Sequence, residues 1–401
     1  FTVAAVLKLG EIEVRGDVPA GASKGEDEAK TLPVSEALGV IEGEILDYLK
    51  TSGKSLENHD DLLALEKGLI ERAGDNYARL GANAVLPVSR ALWQAAACLQ
   101  KKELAAYIRE HERELSSSGR VFFLMNIFNG GLHALKEAEG EVLGQDRIDF
   151  QEIMVVPYSA KTYSEALLMG DKIDAALKGI LVGKFGASAV TRADEAGFSV
   201  KGLGDSFEAF DYVFQAIRDA GYEPGKDVKL ALDVAASSFY HRDAQCYLFQ
   251  GKKISSDQMA NFLVSLVDKY PNTVISIEDG LDENDWDTWP KLTEELTKRD
   301  VITVGDDLFV TQLPRLEKGI ELKAATAILI KVNQNGSVYG TLEVMKRARN
   351  AGMKCVVSHR SGETLDDSIA DLAYATGAFG LKTGDPQPEV DFPDKSTWVR
   401  R

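Results

Sequence analysis

The hydrophobic pattern divides the chain into two regions. Residues 1 to about 118 predict a short β segment, EIEVRGDVPAG, followed by helices whose apolar residues recur at helical spacing. The stretch SSSG at 116–119 marks the change, because small polar residues interrupt the pattern there. Beyond it, apolar strand-like runs alternate with amphipathic helices. This pattern predicts an amino-terminal α+β capping domain at 1–118 and a second domain at 119–401.

The second region indicates the fold class. Its strand-like runs are FQEIMVVP, VKLALDVAA, TVISIEDG, VITVGDDLF, AILIKVNQ, KCVVSHRS and FGLKTG. Apolar runs of this kind, separated by helices, are typical of a parallel sheet that is covered on both faces. The number of units favours closure, so we predict an α/β fold in which the capping domain precedes an eight-stranded (β/α) TIM-like barrel.

Titratable residues stand at the carboxyl ends of six successive strand-like runs, namely Asp233, Glu278, Asp306, Lys331, His359 and Lys382. In a barrel these ends share one face, so the six side chains are expected in one pocket. Three carboxylates at close range need a cation, and oxygen ligands of this type suit Mg²⁺. The alternative is that each acid caps the helix that follows its strand.

Lys331 ends the apolar run AILI, which reads as a buried strand. Burying an ammonium is costly unless it is paired or used, so we interpret Lys331 as a catalytic base. The competing interpretation is a lysine paired structurally with one of the carboxylates. In the next unit, the turn SHRSG combines Arg360, a hydroxyl from Ser361 and backbone N–H groups, which suits a phosphate.

Composition narrows the functional classes. The chain has 401 residues, of which 44% are hydrophobic and 27% charged, as in ordinary globular proteins. Its net charge of −17 argues against non-specific binding to nucleic acid or to anionic membranes, so an anionic substrate would need local positive charge. Three cysteines without metal-type spacing, and a start unlike a signal peptide, predict a cytoplasmic location.

Several stretches together resemble the enolase family, the phosphopyruvate hydratases. They are GASKG, LGANAVLPVS, NIFNGGLHA, FQEIMVVP, DEAGF, ALDVAAS, SIEDGLDENDW, VGDDLFVT, ILIKVNQNG, SHRSGETLDD and LKTG. They occur in family order from about residue 14 to residue 384, and the long motifs SIEDGLDENDW and VSHRSGET are the most specific. The resemblance implies a barrel of the enolase type and reversible dehydration of 2-phosphoglycerate to phosphoenolpyruvate.

The resemblance also implies a role for each matching residue. Lys331 would be the base and Glu195 the general acid, with Glu152 beside it. Asp233, Glu278 and Asp306 would bind one Mg²⁺, and Ser23 would meet a second Mg²⁺ that arrives with substrate. The remaining contacts would come from Arg360 and Ser361 to the phosphate, Lys382 to the carboxylate, His133 and His359 near the reacting carbons, and the loop residues Gly21 and Ala22.

The same resemblance implies a small anionic phosphorylated substrate and a homodimer or higher homo-oligomer. We also expect the loops 21–26 and 133–150 to move on binding. The sequence departs from the family at Lys24, at Ala196, in a longer link at 134–150 and at the carboxyl end. Lys24 and the longer link motivate a second hypothesis, an enolase-like lyase that acts on a phosphonate analogue. A third is a non-catalytic binding protein with this fold.

Overall fold

The computed structural model describes residues 2–21, 25–116, 119–131, 146–193, 195–384 and 386. Its amino-terminal elements are β1 (Ala4–Leu9), β2 (Ile12–Asp17), α1 (Val34–Val40), a π-helical turn (Ile41–Ile45), α2 (Leu46–Thr51), α3 (His59–Ala73), α4 (Ala82–Leu99) and α5 (Leu104–His111). The next elements are β3 (Phe122–Asn129), β4 (Glu152–Val156), α6 (Tyr163–Phe185), β5 (Val190–Arg192), β6 (Phe198–Val200) and α7 (Ser206–Asp219).

The rest of the chain continues the alternation. It contains β7 (Lys229–Asp233), β8 (Tyr240–His241), β9 (Cys246–Phe249), β10 (Lys252–Ile254), α8 (Ser256–Lys269), β11 (Val274–Glu278), α9 (Trp289–Thr297), β12 (Ile302–Gly305), α10 (Leu313–Leu322), β13 (Ala327–Ile330), α11 (Val332–Asn335), α12 (Val338–Asn350), β14 (Lys354–Ser358), α13 (Ser368–Thr376) and β15 (Gly380–Thr383). Within the described ranges, no helix is long and apolar enough to cross a membrane.

One sheet contains ten of these strands. Its order is β15-β14-β13-β12-β11-β7-β4-β3-β6-β5, and β15 also pairs with β3. The pairing of β15 with β3 closes eight strands into a barrel, as predicted. Apolar residues of these strands are almost fully buried, among them Ile153, Leu232, Ile277 and Leu381.

The barrel is not entirely parallel, and this corrects the sequence interpretation. β4 runs antiparallel to both neighbours, β3 and β7. Periodicity identifies FQEIMVVP as an apolar strand but contains no information about its direction, which is decided by long-range pairing. The reversal has a consequence for the site, because it places Glu152, the first residue of β4, opposite Asp233, the last residue of β7.

The helical pattern of the amino-terminal region runs without interruption through ANAVLPVSRALWQAAACLQKKELAAYIRE at 82–110, but the structure divides this run. It forms two helices, α4 and α5, because Lys101 takes a left-handed conformation with φ of 55° and ends the first. The hydrophobic pattern continues across the break, since α4 is buried along nearly all of its length and α5 buries Tyr107 and Ile108. Burial of Trp93 on α4 and of Tyr107 on α5 brings these two rings edge to face.

The chain divides into two compact units. The first comprises Phe1–Val121, Phe309–Leu316 and Ile328–Phe379, and the second Phe122–Leu308, Glu317–Ala327 and Gly380–Arg401. These units group 309–316 and 328–379 with the amino-terminal region. The predicted folding domains 1–118 and 119–401 remain a prediction, and residues 117 and 118 lie outside the described residues.

In the first unit, the β1–β2 hairpin packs closely on α4. A Cβ at Gly16 would overlap the Pro87 carbonyl and the Arg90 side chain, so only glycine fits there. Arg90 is buried, donates to the Asp17 carbonyl at 2.9 Å and lies 3.5 Å from Asp366. These contacts fix the end of β2, from which the chain runs to Ala20, whose backbone exchanges two hydrogen bonds with Gly362.

Candidate active site

A lysine and three carboxylates meet in the second unit. Lys382 Nζ lies 2.7 Å from Asp233 Oδ2, 2.8 Å from Glu278 Oε1 and 3.3 Å from Glu152 Oε1. All four residues are only 1–3% exposed. Because isolated buried charges are costly, this arrangement holds together only through mutual pairing. We call these four residues the Lys382 cluster.

Strand register explains why the cluster forms. Asp233 and Glu278 end the parallel strands β7 and β11 and are paired in register. Glu152 begins the antiparallel strand β4 and faces Asp233 on the other side. The sequence correctly placed Asp233, Glu278 and Lys382 at strand carboxyl ends, whereas Glu152 reaches the same place by starting a reversed strand.

The pKa values of Lys382 and Glu152 in this cluster are both raised, for different reasons. Burial alone would lower the pKa of Lys382, but the charges of Asp233, Glu152, Glu278 and Glu195 outweigh it and hold that pKa well above its ordinary value. Burial raises the pKa of Glu152 well above its ordinary value, and the neighbouring Glu195 raises it further. Lys382 is therefore charged, while Glu152 favours its protonated form.

Glu195 lies in the tight turn between β5 and β6. Its Oε2 is 3.5 Å from Asn126 Nδ2, and Glu195 is buried. The neighbouring Ala196 has φ of 64°, so the position where the family has glycine does require a left-handed backbone here. Because Glu195 contributes to the raised pKa of Glu152 through charge and a hydrogen bond, the two carboxyls form an acid pair.

A second acidic group adjoins the first. Carboxylate oxygens of Asp279, Asp306 and Asp307 lie within 4.8 Å of one another. Asp279 accepts backbone hydrogen bonds from Asp306 at 2.9 Å and from Asp307 at 2.7 Å, so it also fixes the turn that presents them. Burial raises the pKa of Asp279 well above its ordinary value, and the charges of Asp307, Asp306, Glu278 and Asp233 add to this.

The sequence interpretation missed Asp279 and Asp307. A signal was present, because both SIEDG and VGDDL contain a second acid directly after the expected one. The role of Asp279 could not be predicted from the sequence, because its oxygens accept hydrogen bonds from N–H groups about 27 residues further along the chain.

These acids fit a divalent cation. Asp233 and Glu278 both direct an oxygen at one point, which the Lys382 ammonium occupies. Asp306 belongs to the adjacent trio that could bind a metal. Oxygen donors from several carboxylates are the ligands that Mg²⁺ takes, and Asp279, Asp306 and Asp307 are close enough together to hold it; the ligand set Asp233, Glu278 and Asp306 stays a prediction.

In the first unit, Arg360 is buried and held by its neighbours. Its Nη1 donates to Asn333 Oδ1 at 3.1 Å, and its Nη2 donates to Glu28 Oε1 at 3.2 Å. The guanidinium lies against Gly21, where a Cβ would overlap it. The structure thus brings together Gly21 and Arg360, two residues that the sequence assigned to substrate binding.

Other predicted residues of the first unit are placed as follows. Lys331 follows β13, is half-buried and donates its backbone N–H to Thr311 Oγ1 at 3.0 Å. His359 directly follows β14 and is buried, and Ser361 is half-buried. Ala22, Ser23, Lys24 and His133 lie outside the described residues, which thus leave out half of the loop 21–26 and most of the loop 133–150.

A comparison with protein families bears on this geometry. Residues 121–389 match the family described as "Enolase, C-terminal TIM barrel domain". This match spans more than half of the chain. The chain belongs to the enolase superfamily. Proteins with the enolase-superfamily fold are typically catalytic and generally bind Mg²⁺, in agreement with an acidic group of this kind at the strand ends.

Proposed function

We propose that this protein catalyses the reversible, Mg²⁺-dependent dehydration of 2-phospho-D-glycerate to phosphoenolpyruvate. The observation that carries the proposal is the Lys382 cluster, in which buried carboxylates from three strands converge on one cation. The excess of carboxylates over cations in this cluster suits Mg²⁺, and bound Mg²⁺ would supply the positive charge that an anionic substrate needs. Membership of the enolase superfamily supports the proposal, as do the specific motifs SIEDGLDENDW and VSHRSGET.

Lys331 is the base in this mechanism. It removes the proton alpha to the substrate carboxylate, which is weakly acidic because its loss adds charge to an anion. For this step the amine must be neutral, so we expect a pKa for Lys331 below the ordinary lysine value. When bound, Mg²⁺ supplies the positive charge that stabilises the enediolate.

Glu195 and Glu152 handle the second proton. Elimination requires the departing 3-hydroxyl to be protonated, and Glu195 donates that proton. The raised pKa of Glu152 supports this role, because burial and the neighbouring Glu195 both favour the protonated form of that carboxyl. In the reverse direction the same pair accepts the proton from water.

The remaining residues bind substrate and exclude water. Arg360 and Ser361 take the phosphate, since a buried guanidinium already oriented by Glu28 and Asn333 loses little freedom on binding. We assign the substrate carboxylate to Lys382, the neighbourhood of the reacting carbons to His359 and His133, and further substrate contacts to Gly21, Ala22 and Ser23. Ser23 would also hold a second Mg²⁺ that arrives with substrate.

We further propose a cytoplasmic homodimer or higher homo-oligomer that has no nucleic-acid or membrane partner. The net charge of −17 supports the exclusion of polyanions. Free thiols at Cys98, Cys246 and Cys355 support a reducing compartment.

The test is turnover of 2-phosphoglycerate beside its phosphonate analogue by the purified protein with Mg²⁺. We expect kcat/KM to favour 2-phosphoglycerate and chelator to abolish the rate. A higher kcat/KM for the phosphonate would favour the hypothesis that the same mechanism acts on that substrate. Absence of turnover with either substrate in a folded, metal-loaded protein would favour the non-catalytic hypothesis.

A further inference from the structure

The turn that carries Glu195 has an unusual backbone. It joins β5 to β6 and is closed by hydrogen bonds from Ala193 N to the Gly197 carbonyl at 3.0 Å and from Ala196 N to the Ala193 carbonyl at 2.8 Å. Ala196 has φ of 64° and is fully buried. A residue with a Cβ is disfavoured in this conformation, so something must hold the turn in it.

Arg192 is placed to do so. Its Nη1 donates to the Ala196 carbonyl at 2.7 Å and to Asp174 Oδ1 at 2.9 Å, and its Nη2 donates to Asp174 Oδ2 at 2.8 Å. Its guanidinium lies 3.7 Å from the centre of the Phe198 ring. Both members of the ion pair are buried, so these charge-assisted bonds are little weakened by water.

The other side of the turn is fixed by close packing. A Cβ at Gly197 would lie 2.4 Å from Asn129 Oδ1 and 3.0 Å from Asn126 Oδ1. Asn126 is also the residue whose amide approaches Glu195. The Glu195 carboxyl is thus held between a packed side formed by β3 and an arginine that binds the carbonyl of the very next residue.

We propose that Arg192, anchored by Asp174, is a positioning residue for the general acid Glu195. It acts through the Ala196 carbonyl and keeps the turn in the left-handed conformation that aims the carboxyl. This inference rests on the proposed function for its kinetic readout, but the geometric role of Arg192 does not.

The experiment is a double-mutant cycle between Arg192→Met and Ala196→Gly. Arg192→Met should lower kcat by about 10²-fold while KM changes by less than about threefold, because orientation is lost rather than binding. Glycine tolerates a positive φ, so Arg192→Met combined with Ala196→Gly should recover at least about tenfold of the lost kcat. Ala196→Gly alone completes the cycle.

Arg299→Met is the matched control. Arg299 also binds an aspartate through two nitrogens, Asp268 at 2.7 and 3.0 Å, and a backbone carbonyl, that of Glu295 at 2.8 Å. It lies away from the turn in sequence, so kcat should be unchanged. If Arg192→Met does not fold, Asp174→Asn replaces it, with a smaller expected loss of about tenfold.

Amide hydrogen exchange at Ala196 gives a readout that needs no substrate. Its protection should fall in the arginine variant and return in the double variant. An unchanged kcat, an additive cycle without rescue, or unchanged Ala196 protection would overturn the positioning role. If the wild type does not turn over 2-phosphoglycerate, the proposed function fails, and the exchange result alone decides for or against Arg192.

Discussion

Two buried cations of this protein are embedded in different surroundings. Lys382 is a point charge among Asp233, Glu278 and Glu152, all within 3.3 Å of its nitrogen. Arg360 is a planar fork whose two ends are bound by different groups, the Glu28 carboxylate and the Asn333 amide. One cation holds carboxylates of the protein together, whereas the other is held by its neighbours in a fixed orientation.

The difference teaches what each cation contributes. Removing Lys382 leaves several buried anions close together, so its loss should first affect stability and metal binding. Changing Arg360 removes a geometry that a lysine cannot reproduce, so its loss should first affect recognition of an external anion. Substitutions that separate stability from binding can test this contrast.

The largest effect is expected for Lys382→Met. Breaking a buried ion pair leaves uncompensated charge, so the free energy of unfolding should fall by about 3–5 kcal/mol. Equilibrium urea unfolding without metal measures this change. Mg²⁺ should restore part of the loss, because a bound cation takes over neutralisation of Asp233 and Glu278.

Lys298→Met is the control for that variant. Lys298 also contacts two carboxylates, Glu294 at 3.0 Å and Glu295 at 2.7 Å, but all three side chains are exposed. Its substitution should leave stability unchanged within error. Equal stability of the Lys382→Met variant and the wild type without metal would refute the view of Lys382 as the charge that holds the cluster.

Glu66 extends the contrast to a buried acid of the first unit. It accepts hydrogen bonds from Ser89 Oγ at 2.8 Å and from Tyr339 N at 3.2 Å, and burial raises its pKa to about 7. Because the folded pKa lies above the unfolded value of 4.5, its protonation stabilises the fold below pH 4.5, and this contribution is lost as pH rises to about 7.

Glu66→Gln should remove that pH dependence. Measured by urea unfolding from pH 4.5 to 8, the variant should gain stability relative to wild type by about 3 kcal/mol at most over this range. The difference between the two proteins isolates Glu66 from the other groups that titrate there. Glu71→Gln, exposed on the same helix, should show no such trend, and a flat difference for Glu66→Gln would contradict the raised pKa.

Arg360→Lys should give the smallest change in free energy but a clear kinetic one. Loss of the fork should raise KM for 2-phosphoglycerate by about 10- to 100-fold and weaken inhibition by inorganic phosphate in parallel. Arg349→Lys is the matched control, because Arg349 also forms a fork, to the carbonyls of Leu115 and Gly377. Its KM should stay near that of the wild type. A KM unaltered by Arg360→Lys would contradict the proposal that Arg360 binds the phosphate.

The sequence predicted those parts of the site that depend on local pattern. Asp233, Glu278, Asp306 and Lys382 could be placed because each ends an apolar run, and parallel strands bring such ends together. The direction of β4 could not be predicted, since it depends on pairing with strands distant in sequence.

Other features of the site depend on contacts that leave little trace in the local pattern. Asp279 accepts a hydrogen bond from the backbone of a turn 27 residues away. Arg192 donates both to Asp174, which lies 18 residues earlier, and to the carbonyl of Ala196. At Ala196, the positive φ became visible only with the fold. The structure therefore shows hydrogen bonds between distant residues that the sequence motifs alone do not predict.

The most direct test of the central claim follows the absorbance of phosphoenolpyruvate after 2-phosphoglycerate is added to wild type and to Lys331→Ala, each with Mg²⁺ and then with chelator. We predict turnover by the wild type that chelator abolishes, and loss of turnover in a folded Lys331→Ala protein by several orders of magnitude, roughly 10³-fold or more. Undiminished turnover by Lys331→Ala, or a flat trace from folded, metal-loaded wild type, would contradict the account.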